Sequence, residues 1–152
     1  LSNGENVEPQ PIEDACVRSP YIDQIMLVGQ DQKFLGALIV PNLEALQQWA
    51  KSQNLSLSLP ESVEVEKSSS QPEEKFRTTV DLEGKEIQGL FRSELNREVK
   101  NRPGYRPDDR IGTFELILEP FSQENGMMTQ TLKIRRPVVT ERYRDIINGM
   151  FA

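Results

Sequence analysis

Histidine is absent from the 152-residue chain, and cysteine occurs once, as Cys16. The first absence removes Ser-His-Asp and Cys-His catalysis and most transition-metal chemistry. The second excludes an internal disulfide and a zinc site built on cysteines, and it fits a cytoplasmic setting. Long apolar runs are also missing. None approaches the ~18 residues of a membrane span, so no span is expected and peripheral association stays open. No basic start followed by an apolar block marks a signal peptide. Positive charge is in deficit: 18 Lys and Arg face 24 Asp and Glu, a net charge of -6, which argues against general nucleic-acid binding. No metal site is expected. Any catalysis here has to use Lys, Arg, Asp, Glu, Tyr or backbone groups.

What is present is ordinary for a soluble globular protein: 36% hydrophobic and 28% charged residues, in a length that can bury one core. The chain starts at Leu1 rather than Met and reads as a piece of something longer. Asn3-Gly4 marks a tight turn near the start. A short helix is expected over 11–20, with Pro11 at its first position, Glu13 and Asp14 at its positive end, and Pro20 closing it. Two apolar, β-branched runs flank "QDQK" and predict a β-hairpin from Tyr21 to Val40. Asn42 is placed to cap a helix whose Leu43, Leu46, Trp49 and Ala50 share one face.

From about 55 to 85 the periodicity disappears. The segment is rich in Ser, Glu and Pro and is expected to form a solvated, flexible insertion. An amphipathic helix follows, with Ile87, Leu90, Phe91, Leu95 and Val99 as its stripe, ending before Pro103. "FELIL" (114–118) predicts a third strand. A last helix begins with Pro137 and turns Val139, Tyr143, Ile146, Ile147 and Met150 inward. The fold class expected is α+β, a small sheet of about three strands flanked by helices. Trp49 is expected in the core, and Cys16 is expected as a small buried hydrophobe. Arg97, Lys100, Arg102, Arg106 and Arg110, interleaved with Glu98, Asp108 and Asp109, read as a salt-bridged surface.

Lys133 stands out by its context. It follows Gly126 and a polar loop, sits in "TLKIRRP", and immediately precedes the terminal helix. A lone loop lysine is ordinarily solvated. This order, however, resembles the C-terminal lysine motif of the adenylate-forming superfamily, the acyl-CoA synthetases and their relatives. It is similar in particular to the long-chain branch, in which Thr-x-Lys-x-(Arg/Lys)-Arg replaces Ser-Gly-Lys. "SNGENVEPQPIE" (2–13) resembles the end of that superfamily's hinge motif, with Gly4, Val7 and Pro9 leading into the first helix. The resemblance covers nearly the whole chain except about 55–85, and it departs at Leu132, where many relatives carry glycine.

The resemblance implies that residues 1–152 are the mobile C-terminal lid of a long-chain fatty acid ligase. The N-terminal domain that binds ATP and Mg2+ would lie outside this chain, and no cofactor would belong to the lid alone. The partners implied are that domain, fatty acid, ATP, and CoA or acyl carrier protein. Lys133 would be catalytic, and Gly4 would border the channel for the incoming thiol. Arg135 and Arg136 would contact phosphate or a carrier protein. The alternative is an autonomous α+β binding or regulatory module for phosphorylated or acidic partners.

Overall fold

The structure, a computed structural model, describes residues 9–29, 34–58, 78–101 and 110–151. Two strands dominate its interior: β1 (Ile22–Val28) and β2 (Leu35–Pro41), antiparallel with Leu27 opposite Ala37. This is the hairpin read from the sequence; its "QDQK" turn lies outside the described residues. β5 (Ile111–Leu116) adds to β2 in parallel, with Ala37 beside Phe114, giving the order β1-β2-β5. The third strand thus begins three residues earlier than "FELIL" suggests.

Every residue of β2 is buried, because both faces of the sheet are covered. The period-2 pleat sorts the side chains. Ile25, Leu27, Leu35, Ala37 and Ile39 point into one core, shared with Ile12, Cys16, Leu46, Ile87, Phe91 and Leu95. Met26, Val28, Leu38 and Val40 point into a second core with Phe121, Met127 and Val139. The first core is roofed by α1 (Pro9–Cys16), α2 (Leu43–Ser52) and α3 (Lys85–Lys100). Asn42 caps α2 as expected, its Oδ1 accepting from Ala45 N at 3.0 Å. Trp49 is only partly buried, packing at the rim of that core.

Four expectations need correction. The first helix starts at Pro9 rather than Pro11 and ends at Cys16, well before Pro20. The ends of the 55–85 segment are ordered: β3 (Leu55–Ser58) pairs in parallel with β4 (Thr78–Asp81), and Val80 and Leu82 are buried in the first core. Residues 59–77 lie outside the described ones. The last helix is two short ones, α4 (Arg136–Arg142) and α5 (Arg144–Met150), broken at Tyr143 (φ -109°, ψ 25°). That break lets Val139, Ile147 and Met150 reach the second core while turning Ile146 outward, to 40% exposure.

Candidate functional site: the Lys133 loop

The chain between β5 and α4 is irregular but closely bonded. Gln24 on β1 holds its entry: Gln24 Nε2 donates to Phe121 O at 3.0 Å, and Phe121 N donates to Gln24 Oε1 at 2.8 Å. Asn125 and Gly126 then turn the chain. Asn125 Oδ1 accepts from Ser122 N and Met127 N, both at 3.1 Å, and Gly126 takes φ +79°. Met127, fully buried in the second core, anchors the next segment.

From Met127 the chain forms a narrow hairpin with Lys133 near its tip. Met128 bridges Ile134, and Arg135 N donates to Met127 O at 2.8 Å. Thr129 grips Lys133 from both sides of its peptide: Thr129 N donates to Lys133 O at 2.8 Å, and Lys133 N donates to Thr129 Oγ1 at 3.1 Å. Leu132 N closes a turn onto Thr129 O, and Leu132 itself takes φ +62° with 65% exposure. That is the left-handed region, where only glycine is at ease. A glycine here would take this conformation without strain, whereas Leu132 holds it with a β-carbon.

Lys133 is exposed and forms no ion pair among the described residues. Its backbone is fixed while its ammonium is available. Beside it runs a groove of about 270 Å³, lined by Glu13, Asp23, Gln24, Met128, Leu132 and Lys133 among others.

The two arginines diverge. Arg135 is exposed, its guanidinium reaching among the described residues only Gly126 O at 3.4 Å. Arg136 is engaged internally: Nη1 and Nη2 donate to Glu13 Oε2 and Oε1 at 2.8 and 2.5 Å. That bidentate hydrogen bond to Glu13, aided by its charge and opposed by desolvation, pushes the Arg136 guanidinium above its ordinary value. Arg136 is thus engaged by Glu13 within the fold, where the sequence reading gave it, together with Arg135, a phosphate or carrier-protein contact. Sequence reasoning missed Glu13, read there only as a helix-end acid. It is 4% exposed and also accepts from Leu27 N at 2.7 Å. The available signal was its position: it sits three residues before Cys16 on a helix whose Ile12, Ala15 and Cys16 are also buried.

Gly4 lies outside the described residues, as do Arg102, Arg106, Asp108 and Asp109. Of the basic cluster, Arg97 pairs with Glu94 at 2.7 Å and with Glu98 at 3.3 Å. Cys16 is fully buried; burial first, then the Glu98 and Glu13 carboxylates, push its thiol up to about 12.

Residues 1–80 match the family model of the AMP-binding enzyme C-terminal domain. The chain belongs to that family. Over 151 residues the domain is 36% identical to "Probable acyl-activating enzyme 16, chloroplastic" of Arabidopsis thaliana, covering 99% of this chain and 18% of that protein. It is 33% identical to the chloroplastic long-chain-fatty-acid–acyl-carrier-protein ligase of the same plant, covering 100% of this chain and 16% of the relative. Human long-chain-fatty-acid–CoA ligase 1 is 26% identical over 153 residues, covering 100% and 19%.

The domain therefore spans less than a fifth of these three relatives. Its fold also occurs within the adenylation domain of a carboxylate reductase from Mycobacterium chelonae, with a TM-score of 0.71 at 22% identity, covering 99% of this chain and 19% of that one. The adenylation–carrier didomain of a carboxylic acid reductase from Segniliparus rugosus, solved in complex with AMP, gives 0.69 at 22% identity, covering 100% and 17%. The α+β fold expected from the sequence is the fold found, and an autonomous binding or regulatory module has no support. No helix among the described residues is long and apolar enough to cross a membrane.

Proposed function

We propose that this domain is the catalytic lid of a ligase that activates a long-chain fatty acid with ATP and passes the acyl group to a thiol, on CoA or on acyl carrier protein. The observation that carries this reading is the presentation of Lys133: an exposed ammonium, without an ion pair among the described residues, on a rigidly bonded hairpin. It belongs to a family of AMP-binding enzyme C-terminal domains, and relatives named as fatty acid ligases align over the whole chain.

The chemistry calls for such a group. A carboxylate attacks the α-phosphate of ATP and pyrophosphate leaves, so negative charge concentrates where two anions meet. A cation delivered by a closing lid offsets that charge in a site cleared of water. Lysine supplies a compact charge on a long stem, and neighbouring phosphates favour its protonated form. Magnesium accompanies ATP in this reading. Both are assigned to the N-terminal domain, and no step here passes through the metal. Arg135, exposed beside Lys133, is the arginine assigned to phosphate or carrier-protein contact. Gly4 is assigned to the wall of the thiol channel, where glycine allows close approach of the backbone.

ATP–pyrophosphate exchange with a long-chain fatty acid tests this. The full-length protein is expected to exchange, while the same protein truncated before Leu1 and residues 1–152 alone are each expected to be silent. Exchange by the isolated domain, or undiminished exchange without it, would contradict the reading.

A further inference from the structure

Three polar side chains are buried among the described residues: Glu13, Ser19 and Glu94. Ser19 Oγ donates to Glu94 Oε1 at 3.0 Å, and Arg97 completes that group, which staples α3 to the turn before β1. Glu13 has no such local explanation. Its two oxygens collect donors from distant segments: Leu27 N on the outer edge of β1, and both terminal nitrogens of Arg136, the first residue of α4. Arg136 follows Lys133 by three residues.

The loop that carries Lys133 is thereby strapped to β1 at both ends. Its entry is held by the reciprocal Gln24–Phe121 bonds, and its exit by Glu13, which joins Arg136 to Leu27. Burying a carboxylate is a costly way to gain stability, since an apolar pair of similar volume often does as well. A two-pronged Arg–carboxylate fork does fix angle as well as distance. α1 also carries the strap back to the first described element of the chain. We infer that Glu13 is a positioning residue for the adenylation step, which through Arg136 sets where the Lys133 ammonium arrives when the lid closes. The inference rests on the role of Lys133 proposed above.

Without the exit strap, Met127 and Val139 still anchor the segment in the second core, so the fold survives. The hairpin gains freedom to swing about its entry. Displacement of a reacting group by 1 Å costs roughly 10²-fold, so a looser hairpin should slow adenylation at least about tenfold.

The test uses the full-length ligase with Glu13→Gln, Arg136→Lys and Lys133→Ala, alone and combined. Glu13→Gln keeps an acceptor for Leu27 N and loses the ion pair; Arg136→Lys keeps the charge and loses the fork. Each is expected to lower the kcat of ATP–pyrophosphate exchange about tenfold or more, with the KM for ATP and thioester formation from supplied acyl-adenylate changed by no more than about twofold. On the Lys133→Ala background, Glu13→Gln is expected to add no further loss, because Glu13 acts through that lysine. The inference is overturned if Glu13→Gln slows the Lys133→Ala enzyme by the same factor as the wild type, if both half-reactions fall together, or if folded Glu13→Gln and Arg136→Lys proteins exchange at the wild-type rate. Should Lys133→Ala alone leave exchange intact, the lysine's proposed role fails and this inference with it. Loss in Lys133→Ala but not in the strap variants removes the positioning role only.

Discussion

Leu132 offers a test in which two small substitutions should rank opposite to their usual order. Its φ of +62° places a β-carbon where L-residues pay about 1–2 kcal/mol. Alanine keeps that β-carbon and therefore the strain, whereas glycine relieves it. Against the relief stands the greater freedom of glycine in the unfolded chain, about 0.5–1 kcal/mol relative to alanine. The side chain is 65% exposed, so removing it forfeits only a fraction, about 0.7 kcal/mol, of the roughly 2 kcal/mol a fully buried leucine contributes. Both variants lose that amount equally. The difference that remains favours Leu132→Gly over Leu132→Ala by roughly 0.5–1 kcal/mol, where an ordinary loop or helix position would favour alanine by a similar amount. Urea unfolding of the domain measures it directly. A Leu132→Ala protein as stable as Leu132→Gly, or more so, would refute the reasoning and mean that the hairpin tip is not held in the left-handed region.

Three further outcomes are expected. Burial keeps the Cys16 thiol neutral, raised from an ordinary 9.0 to about 12, so its contribution to stability is full below about pH 9 and is lost as pH rises toward 12. Native protein should resist alkylation at pH 8, and Cys16→Ala should flatten the alkaline fall in melting temperature; an equally steep fall would contradict this. Arg136→Met strands the buried Glu13 carboxylate and should cost about 3 kcal/mol in urea unfolding, the low end for a broken buried pair because Arg136 is 32% exposed, with Glu13→Gln restoring part of it in the double variant. In the full-length enzyme, Gly4→Leu should let acyl-adenylate accumulate while thioester release becomes limiting; normal transfer to both CoA and carrier protein, with an unchanged melt, would remove Gly4 from the channel.

The parts legible in the sequence are those set by local pattern. Two β-branched runs gave the hairpin, Asn42 gave the start of α2, and the Ile87–Val99 stripe gave α3. What escaped was decided by distant partners. β5 pairs in parallel with β2 across the 69 residues of chain that separate Pro41 from Ile111, and nothing in either strand announces the other. β3 and β4 are four residues each; the Leu-Ser alternation of β3 is too short to stand out from the Ser-rich run it opens, and β4 shows no alternation of its own. The break at Tyr143 lies inside an unbroken helical pattern, because packing against the sheet decides it. At the site, the family motif led to Lys133, but the contrast between its two neighbouring arginines did not follow from "IRRP". It depends on where α1 places Glu13, a carboxylate whose burial is a tertiary fact.

Lys133→Ala in the full-length enzyme bears most directly on the central claim, with the two half-reactions measured separately. Adenylation is followed by ATP–pyrophosphate exchange, and transfer by thioester formation from supplied acyl-adenylate and thiol. Removing one electrostatic contact made in the transition state should slow adenylation by about 10²–10³. Transfer should stay near the wild-type rate, because the charge is needed only when the carboxylate meets the α-phosphate. An equal loss in both half-reactions, or a normal rate of exchange, would contradict the assignment of this lysine and of the domain that carries it.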